Sequence, residues 1–421
     1  MNRMSFERQH SQTLRHRLNE PPTFMIVVAG PRQVGKSTLV RQVLTGRPAT
    51  FVAVDQPLVE PVDSFGTTTR SAYLTQPLPG ATPTAEWLVR QWTQARSSAK
   101  AQPEGKTYVL AIDEIQKIPR WSEVVKGLWD ADRAEGLAMH VILLGSSPWL
   151  MQKGLTESLA GRYEPIRMSH WSYPEMQEAF DFSLDEFIYF GGYPGSAGLI
   201  HDERRWREYV RSALIHPNIE KDILQMTRVD KPALLKTLFE LGCAYSGQII
   251  SYTKLQGQLQ DAGNTVTLAH YLDLLSQAGL LSGLSKYAGQ KHRQRASSPK
   301  LNALNTALIS AQGGYAFAEA RNDRSYWGRL VESAVGAHLC NTAFDDCQVQ
   351  YWRESPDEVD FVLGNSRKLV AIEVKSGTGF AKPKGLAVFT DKFSTARPFV
   401  VGEGGIPLTE FLSRPAADWL A

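Results

Sequence analysis

The stretch Gly30-Pro31-Arg32-Gln33-Val34-Gly35-Lys36-Ser37-Thr38 has the residue types that hold a polyphosphate, in the G-x-x-x-x-G-K-[ST] spacing. Gly30 and Gly35 allow a tight turn and a close backbone approach where a Cβ would collide. Successive N–H groups at the start of a helix form an anion nest whose dipole favours negative charge. Lys36 has the reach for β- and γ-phosphates, and the Ser37 hydroxyl is a ligand for Mg²⁺. The apolar run Phe24–Ala29 ahead of the loop reads as a buried strand, so strand, loop and helix stand in the order a nucleotide site needs.

A second group follows. Tyr108-Val-Leu-Ala-Ile-Asp113-Glu114 is an apolar strand ending in two carboxylates. In a parallel sheet, ligands lie beyond the carboxyl ends of the strands. That place suits Asp113 to holding Mg²⁺ through its water shell, and Glu114 to polarising an attacking water. A third apolar strand, His140–Leu144, runs into Gly145-Ser146-Ser147. Ser146 either hydrogen-bonds a γ-phosphate or the attacking water, or caps a helix starting near Trp149. Arg162, after Ser158-Leu-Ala-Gly, either brings charge to a γ-phosphate, in cis or in a neighbouring subunit of a homo-oligomer, or makes a surface ion pair.

The third group lies near the carboxyl end. Asp360 and Glu373-x-Lys375 fall on two candidate strands, 357–363 and 369–375, after a strand at 349–353. Two carboxylates on adjacent strands can hold Mg²⁺ or Mn²⁺, and strand alternation puts Glu373 and Lys375 on one face. The metal would acidify a water, with Lys375 positioning it or steadying a pentavalent phosphate. Glu332, on a helix beginning at Gly328, would complete the metal shell. A salt-bridged sheet face uses the same residue types, and an intact ligand set does not by itself make a nuclease.

Composition sets the frame for these groups. With 43% apolar and 21% charged residues over 421 positions, two or three folded domains are expected. A net charge of +3 is too small to imply nucleic-acid binding, so any basic surface is local. Cys243, Cys340 and Cys347 lack metal-ligand spacing and read as free thiols, although Cys340 and Cys347 are close enough in sequence to pair. No apolar run has the length of a membrane span and Met1–Glu20 has no apolar stretch of the secretory kind, so the expectation is a cytoplasmic protein without a membrane partner.

The elements that must position these residues follow from periodicity. A short helix at 14–18 stops at Pro21-Pro22, a strand covers 50–54, residues 56–83 are an irregular excursion, and a helix covers 86–100. Phe190-Gly-Gly-Tyr-Pro194 reads as a hinge-like break after the core, with helices at 204–213 and 233–245. A short helix from Ser251, a second capped at Asn264/Thr265 and running 266–277, and a strand at 278–283 fit a winged helix. Lys286, Lys291, Arg293, Arg295 and Lys300 then stand without an acidic residue between Leu281 and Lys300, a set that could neutralise DNA phosphates or simply face solvent. The tail is expected to complete a sheet through 386–389 and 398–401.

Gly30-Pro-Arg-Gln-Val-Gly-Lys-Ser-Thr, Ile112-Asp-Glu-Ile-Gln-Lys, Gly145-Ser-Ser, Ser158-Leu-Ala-Gly-Arg162 and Phe190-Gly-Gly-Tyr-Pro194 together resemble the prokaryotic AAA-type (AAA_14-like) ATPases that carry a carboxy-terminal DUF4143 domain. The resemblance covers about Leu14 to Gly377. It implies an α/β fold class: an ASCE-type P-loop core with a parallel sheet, a winged-helix-like segment, and an α/β domain resembling the PD-(D/E)xK restriction endonucleases. Where relatives place Leu-Pro-Leu-Ser after the arginine, this chain has Ile166-Arg-Met-Ser-His-Trp-Ser. The expected division is an ATPase domain at 1–200, a winged-helix-like domain at 201–300 and a nuclease-like domain at 301–421. ATP is the expected nucleotide, since no guanine-reading motif is present. Two functions compete: an ATPase that drives a nucleic-acid-contacting nuclease-like module, and a nucleotide-gated DNA- or protein-binding regulator with little turnover and an inactive nuclease-like domain.

Overall fold

The computed structural model describes residues 6–54, 83–146, 158–223, 229–259, 264–288, 297–344, 346–377 and 384–421. The chain divides into two compact units, Glu7–Met168 and a larger one built from Ser169–Ala421. Among the described residues, no helix is long and apolar enough to cross a membrane. The three cysteines are free thiols.

In the first unit, strands β1 (Met25–Ala29), β2 (Ala49–Ala53), β3 (Tyr108–Asp113), β4 (Met139–Gly145) and β5 (Tyr163–Arg167) form a five-stranded sheet in the order β2-β3-β4-β1-β5. Every neighbouring pair is parallel. β3 and β4 are buried along their whole length, as strands covered on both faces must be. Alternation sorts their side chains. Val27, Leu110, Ile112 and Leu143 pack with Trp87, Trp92 and Trp129 of helices α3 (Ala85–Lys100) and α4 (Trp121–Ala134). On the other face Ile26, Val28, Val109 and Leu144 pack with Leu14, Leu18, Leu39 and Val43 of α1 (His10–Asn19) and α2 (Lys36–Leu44). β5 was not legible in the sequence. Tyr163-Glu-Pro-Ile-Arg167 buries only Ile166 fully, and Pro165 is tolerated because β5 is an edge strand.

The second unit begins with helices Tyr173–Phe180 and Leu184–Phe190, each opened by a serine in a capping box with Glu175 or Glu186. Trp206 is fully buried against the rings of Tyr189 and Phe190. Gly191 and Gly192 are not the expected hinge. A Cβ at Gly191 would lie 2.0 Å from Asn305 Oδ1, and one at Gly192 2.1 Å from the Trp171 carbonyl oxygen. Both are glycines because the backbone is closely packed, and Gly191 also because its φ is +69°.

Helices Pro232–Ala244, Tyr252–Gln258 and Thr265–Gln277 follow, the last two capped by Ser251 and Asn264 as the sequence predicts. They lead into an antiparallel hairpin of β6 (Leu281–Leu284) and β7 (Lys300–Ala303). Beyond it, the helix Arg324–Thr342 precedes β8 (Gln348–Glu354), β9 (Asp357–Gly364) and β10 (Leu369–Lys375), which run antiparallel in succession. The helix Lys384–Lys392 then leads to β11 (Ala396–Gly402), parallel to β10. Leu386–Phe389 is therefore helix, not the expected strand: Leu386 and Phe389, three apart, share a buried helical face. One apolar cluster joins Leu268 and Leu272 to Leu330, Val331 and Ala334, so the middle and last segments share a core.

Candidate active site

Three loops meet at the carboxyl end of the parallel sheet. The phosphate loop leaves β1, which is bordered on one side by β4, with Ser146 following it, and on the other by β5. β3, ending at Asp113, lies beyond β4. Gly35 has φ +90°, the left-handed conformation expected of the loop glycine entering α2. Gly30 has a different reason to be glycine: a Cβ there would lie 2.0 Å from the carbonyl oxygen of Met168. Lys36 is buried, and its ammonium donates to the carbonyls of Gly30 at 2.9 Å and Pro31 at 2.7 Å. Arg8, also buried, donates through Nη1 to the carbonyl of Val34 at 3.1 Å and ties the loop to the segment before α1.

The Ser37 hydroxyl donates to Asp113 Oδ2 at 2.5 Å. Burial raises the pKa of Asp113; the Ser37 hydrogen bond opposes this, and the neighbouring Glu114 charge adds to it. Glu114 adopts φ +56°, a conformation that costs a non-glycine residue on the order of 1–2 kcal/mol. Its Oε2 accepts from Gln116 Nε2 at 2.6 Å and from the Ser146 hydroxyl at 3.0 Å, and lies 3.6 Å from Lys117 Nζ. Two hydrogen bonds and an ion pair thus converge on one oxygen of Glu114.

The carboxy-terminal carboxylates have a different surrounding. Lys300 is wholly buried, and its Nζ lies 2.6 Å from Glu332 Oε1, 3.5 Å from Asp360 Oδ1 and 3.8 Å from Glu358 Oε1. It also donates to the Asp360 main-chain carbonyl at 3.1 Å and lies over the Phe361 ring, 4.8 Å from its centroid. Asp360 Oδ2 accepts from the Val374 N–H at 2.8 Å, and Lys375 Nζ donates to Glu373 Oε1 at 2.8 Å. Burial, with the Asp360 charge, raises the Glu332 pKa to about 7 against the pull of Lys300. Glu373 is raised by the same two causes, with Lys375 opposing.

Residues 23–177 match the family model of an AAA domain (AAA_14). This region is an AAA-type P-loop ATPase domain. Residues 181–317 match a domain of unknown function, DUF8612, and residues 327–409 match DUF4143. Uncharacterized protein Rv2008c of Mycobacterium tuberculosis is 26% identical over 98% of this chain and 83% of its own length. Uncharacterized protein Mb2031c of Mycobacterium bovis matches to the same extent. Among solved structures, the Walker-type ATPase PABY2304 of Pyrococcus abyssi is similar with a TM-score of 0.45 and 16% identity, over 73% of this chain and 95% of that one. The Aeropyrum pernix ORC1 protein, solved in complex with DNA, follows with a TM-score of 0.29 and 11% identity, over 74% and 93%.

The AAA domain thus gathers the phosphate loop, Asp113, Glu114 and Ser146 at one sheet end, and it leaves Arg162 elsewhere. Arg162 precedes β5, whose first residue is in register with Met25 at the start of β1. β1 spans about 15 Å at 3.3 Å per residue, which separates Arg162 from the phosphate loop by the depth of the sheet. Its Nε and Nη2 pair with Asp130 at 2.8 and 3.0 Å. The cis role is therefore corrected to the surface ion pair. Arg167 instead ends β5 in register with Ala29, at the loop's end of the sheet. Gln116, Lys117 and Arg8 were passed over because their contacts with Glu114 and Val34 depend on the turn after β3 and on the path before α1. Ser147 and Trp149 lie outside the described residues.

In the DUF4143 domain the carboxylates of Glu332, Asp360 and Glu373, expected to form a Mg²⁺ or Mn²⁺ shell, each stand against a lysine. The first two carboxylates face the Lys300 ammonium, and the third faces Lys375. Among the described residues, no three acidic, histidine or cysteine side chains converge to hold a metal. Lys300 was expected to meet either DNA phosphates or solvent, but its side chain points into this cluster; Lys291, Arg293 and Arg295 lie outside the described residues.

Proposed function

We propose that this chain hydrolyses ATP with Mg²⁺ in its AAA domain and uses the nucleotide state to drive a carboxy-terminal module that contacts nucleic acid without cutting it. The junction of Ser37 and Asp113 at 2.5 Å, with Glu114 fixed beside it, carries the first part. A hydroxyl and a buried carboxylate are the hard oxygen donors that Mg²⁺ takes, so this pair fits the ion. Ser37 and Asp113 would hold the ion, which would supply charge neutralisation to the triphosphate. Lys36, Arg32, Gln33 and the N–H groups from Pro31's neighbours to Thr38 hold the phosphate chain. Glu114, oriented by Gln116 and Ser146, accepts the proton of the attacking water.

The proposed division of labour is 1–200 for hydrolysis, 201–300 as a winged-helix-like relay and 301–421 as a nuclease-like scaffold. The relay reading is supported by two short capped helices leading into the β6–β7 hairpin. Support for the scaffold comes from the order helix, three antiparallel strands, helix, parallel strand. Lys286, Lys291, Arg293 and Arg295 are the cations proposed to meet nucleic-acid phosphates. Steady-state phosphate release is the test. The parent is expected to release phosphate at least ~10²-fold faster than Lys36→Ala or Glu114→Gln. Equal rates would leave a nucleotide-gated binding protein.

A further inference from the structure

We propose that Lys300 is the resident cation of the carboxylate cluster in the DUF4143 domain. Its ammonium stands where a divalent metal would sit among Glu332, Asp360 and Glu358, and it fastens the β6–β7 hairpin to the helix and sheet of that domain.

Three observations on independent elements carry this. First, the lysine comes from β7, within the DUF8612 match, whereas every carboxylate around it comes from the DUF4143 match. Second, Nζ is already surrounded by anionic and acceptor groups: Glu332 Oε1 at 2.6 Å, the Asp360 carbonyl at 3.1 Å, two further carboxylate oxygens within 3.8 Å and an aromatic face. The 2.6 Å contact is a close ion pair, and the hydrogen bond donated to the Asp360 carbonyl directs the ammonium. A divalent ion needs carboxylate oxygens at about 2.0–2.6 Å, so it could take the Glu332 and Asp360 oxygens only by displacing Nζ. Asp360 is further committed, since its other oxygen accepts the Val374 N–H at 2.8 Å.

Third, the helix is shaped to make the contact. Gly336 lies one turn after Glu332, and a Cβ there would come within 2.2 Å of Asn302 Oδ1 on β7 and 2.8 Å of Phe361 on β9. The missing side chain lets the helix lie directly on the hairpin and the sheet, and this brings the Glu332 carboxylate to Lys300. Cation, anions and close approach are built into one place. The cluster is then a fastener between two regions that separate family models describe, and its acidic residues are spent on a lysine.

The inference uses the nuclease-like reading of the sheet only to name the metal that Lys300 replaces. The experiment omits nucleotide, so the ATPase reading can fail without touching it. Mn²⁺ bound to the full-length chain is counted by electron paramagnetic resonance of the free ion. The parent and Asp360→Asn are expected to bind the same number of ions. Lys300→Met is expected to gain one Mn²⁺ per chain, lost again in Lys300→Met/Asp360→Asn. Thermal melting is expected to fall in Lys300→Met and to recover in part with Mn²⁺, while the parent's melting does not respond. A parent site that disappears in Asp360→Asn overturns the proposal, whether or not the lysine variant folds. A folded Lys300→Met with unchanged melting and no Asp360-dependent ion overturns it too.

Discussion

A buried lysine stands at the centre of each of the two acidic sites, and the two lysines are held in opposite ways. Lys36 leans on carbonyls of its own loop, at the open end of a parallel sheet, with the carboxylates Asp113 and Glu114 presented from another strand. Lys300 is closed in by carboxylates from a helix and a strand that pack directly on it. Neutral carbonyls exchange for phosphate oxygens at little electrostatic cost. Carboxylates do not release a buried ammonium without leaving several charges unpaired. On the two proposals above, the same residue types, lysine beside acids on strand ends, serve hydrolysis in one unit and cohesion in the other. The partner of the lysine decides which.

The largest expected effect is at the open site. Lys36→Ala should lower phosphate release about 10³-fold with unchanged melting, because the loop keeps its glycines and its helix. Unchanged turnover would remove the contrast. At the closed site the loss should be structural: Glu332→Ala removes the nearest carboxylate from the Lys300 ammonium, leaves Asp360 and Glu358, and should cost about 1–3 kcal/mol by denaturant unfolding. Phosphate release per folded molecule should not follow it. If turnover fell while stability held, the closed site would be chemical after all.

A buried histidine makes each unit acid-sensitive, and in the second unit the raised Glu332 pKa opposes that effect. His140 on β4 and His338 on the helix Arg324–Thr342 each have a pKa of about 4, lowered chiefly by burial. Between pH 6.5 and 4 the unfolded chain binds these protons and the folded chain does not. Stability is therefore full above pH 6.5 and lost as pH falls towards 4, by at most about 3 kcal/mol per histidine. Melting curves of the parent and His140→Gln across that range check the sign, and a parent that lost no more stability than the variant on acidification would refute it.

Two smaller effects sharpen the open site. Gln116→Ala removes one of the two hydrogen bonds to Glu114 Oε2 and should reduce turnover about 10-fold with little change in nucleotide affinity. A loss confined to affinity would assign Gln116 to binding. Arg162→Ala breaks an exposed pair with Asp130 and should leave stability little changed, with turnover within about twofold of the parent. A steep loss that depends on protein concentration would instead place Arg162 at a neighbour's nucleotide.

Much of the AAA domain was readable before its structure. Strands β1, β3 and β4 announced themselves as apolar runs, and the glycine–lysine–serine spacing fixed which end of them mattered. β5 was hidden because an edge strand with a proline and three charged or polar residues carries no period-2 signal. The stretch 386–389 was misread because four residues do not distinguish a strand from a turn of helix. Ser146 could be narrowed to two roles but not to its bond with Glu114, which requires β4 to lie beside β3.

The sequence by itself determined the phosphate loop, its carboxylate partners and the chemistry they share, because those properties reside in residue types a few positions apart. Tertiary structure alone decided where Arg162 points and what Lys300 meets. A lysine at position 300 and a glutamate at 332 become one ion pair only when a helix lies on a hairpin at the distance of a missing Cβ. Charge compensation in a buried site acts over a few ångströms of space, and no local pattern along the chain records it.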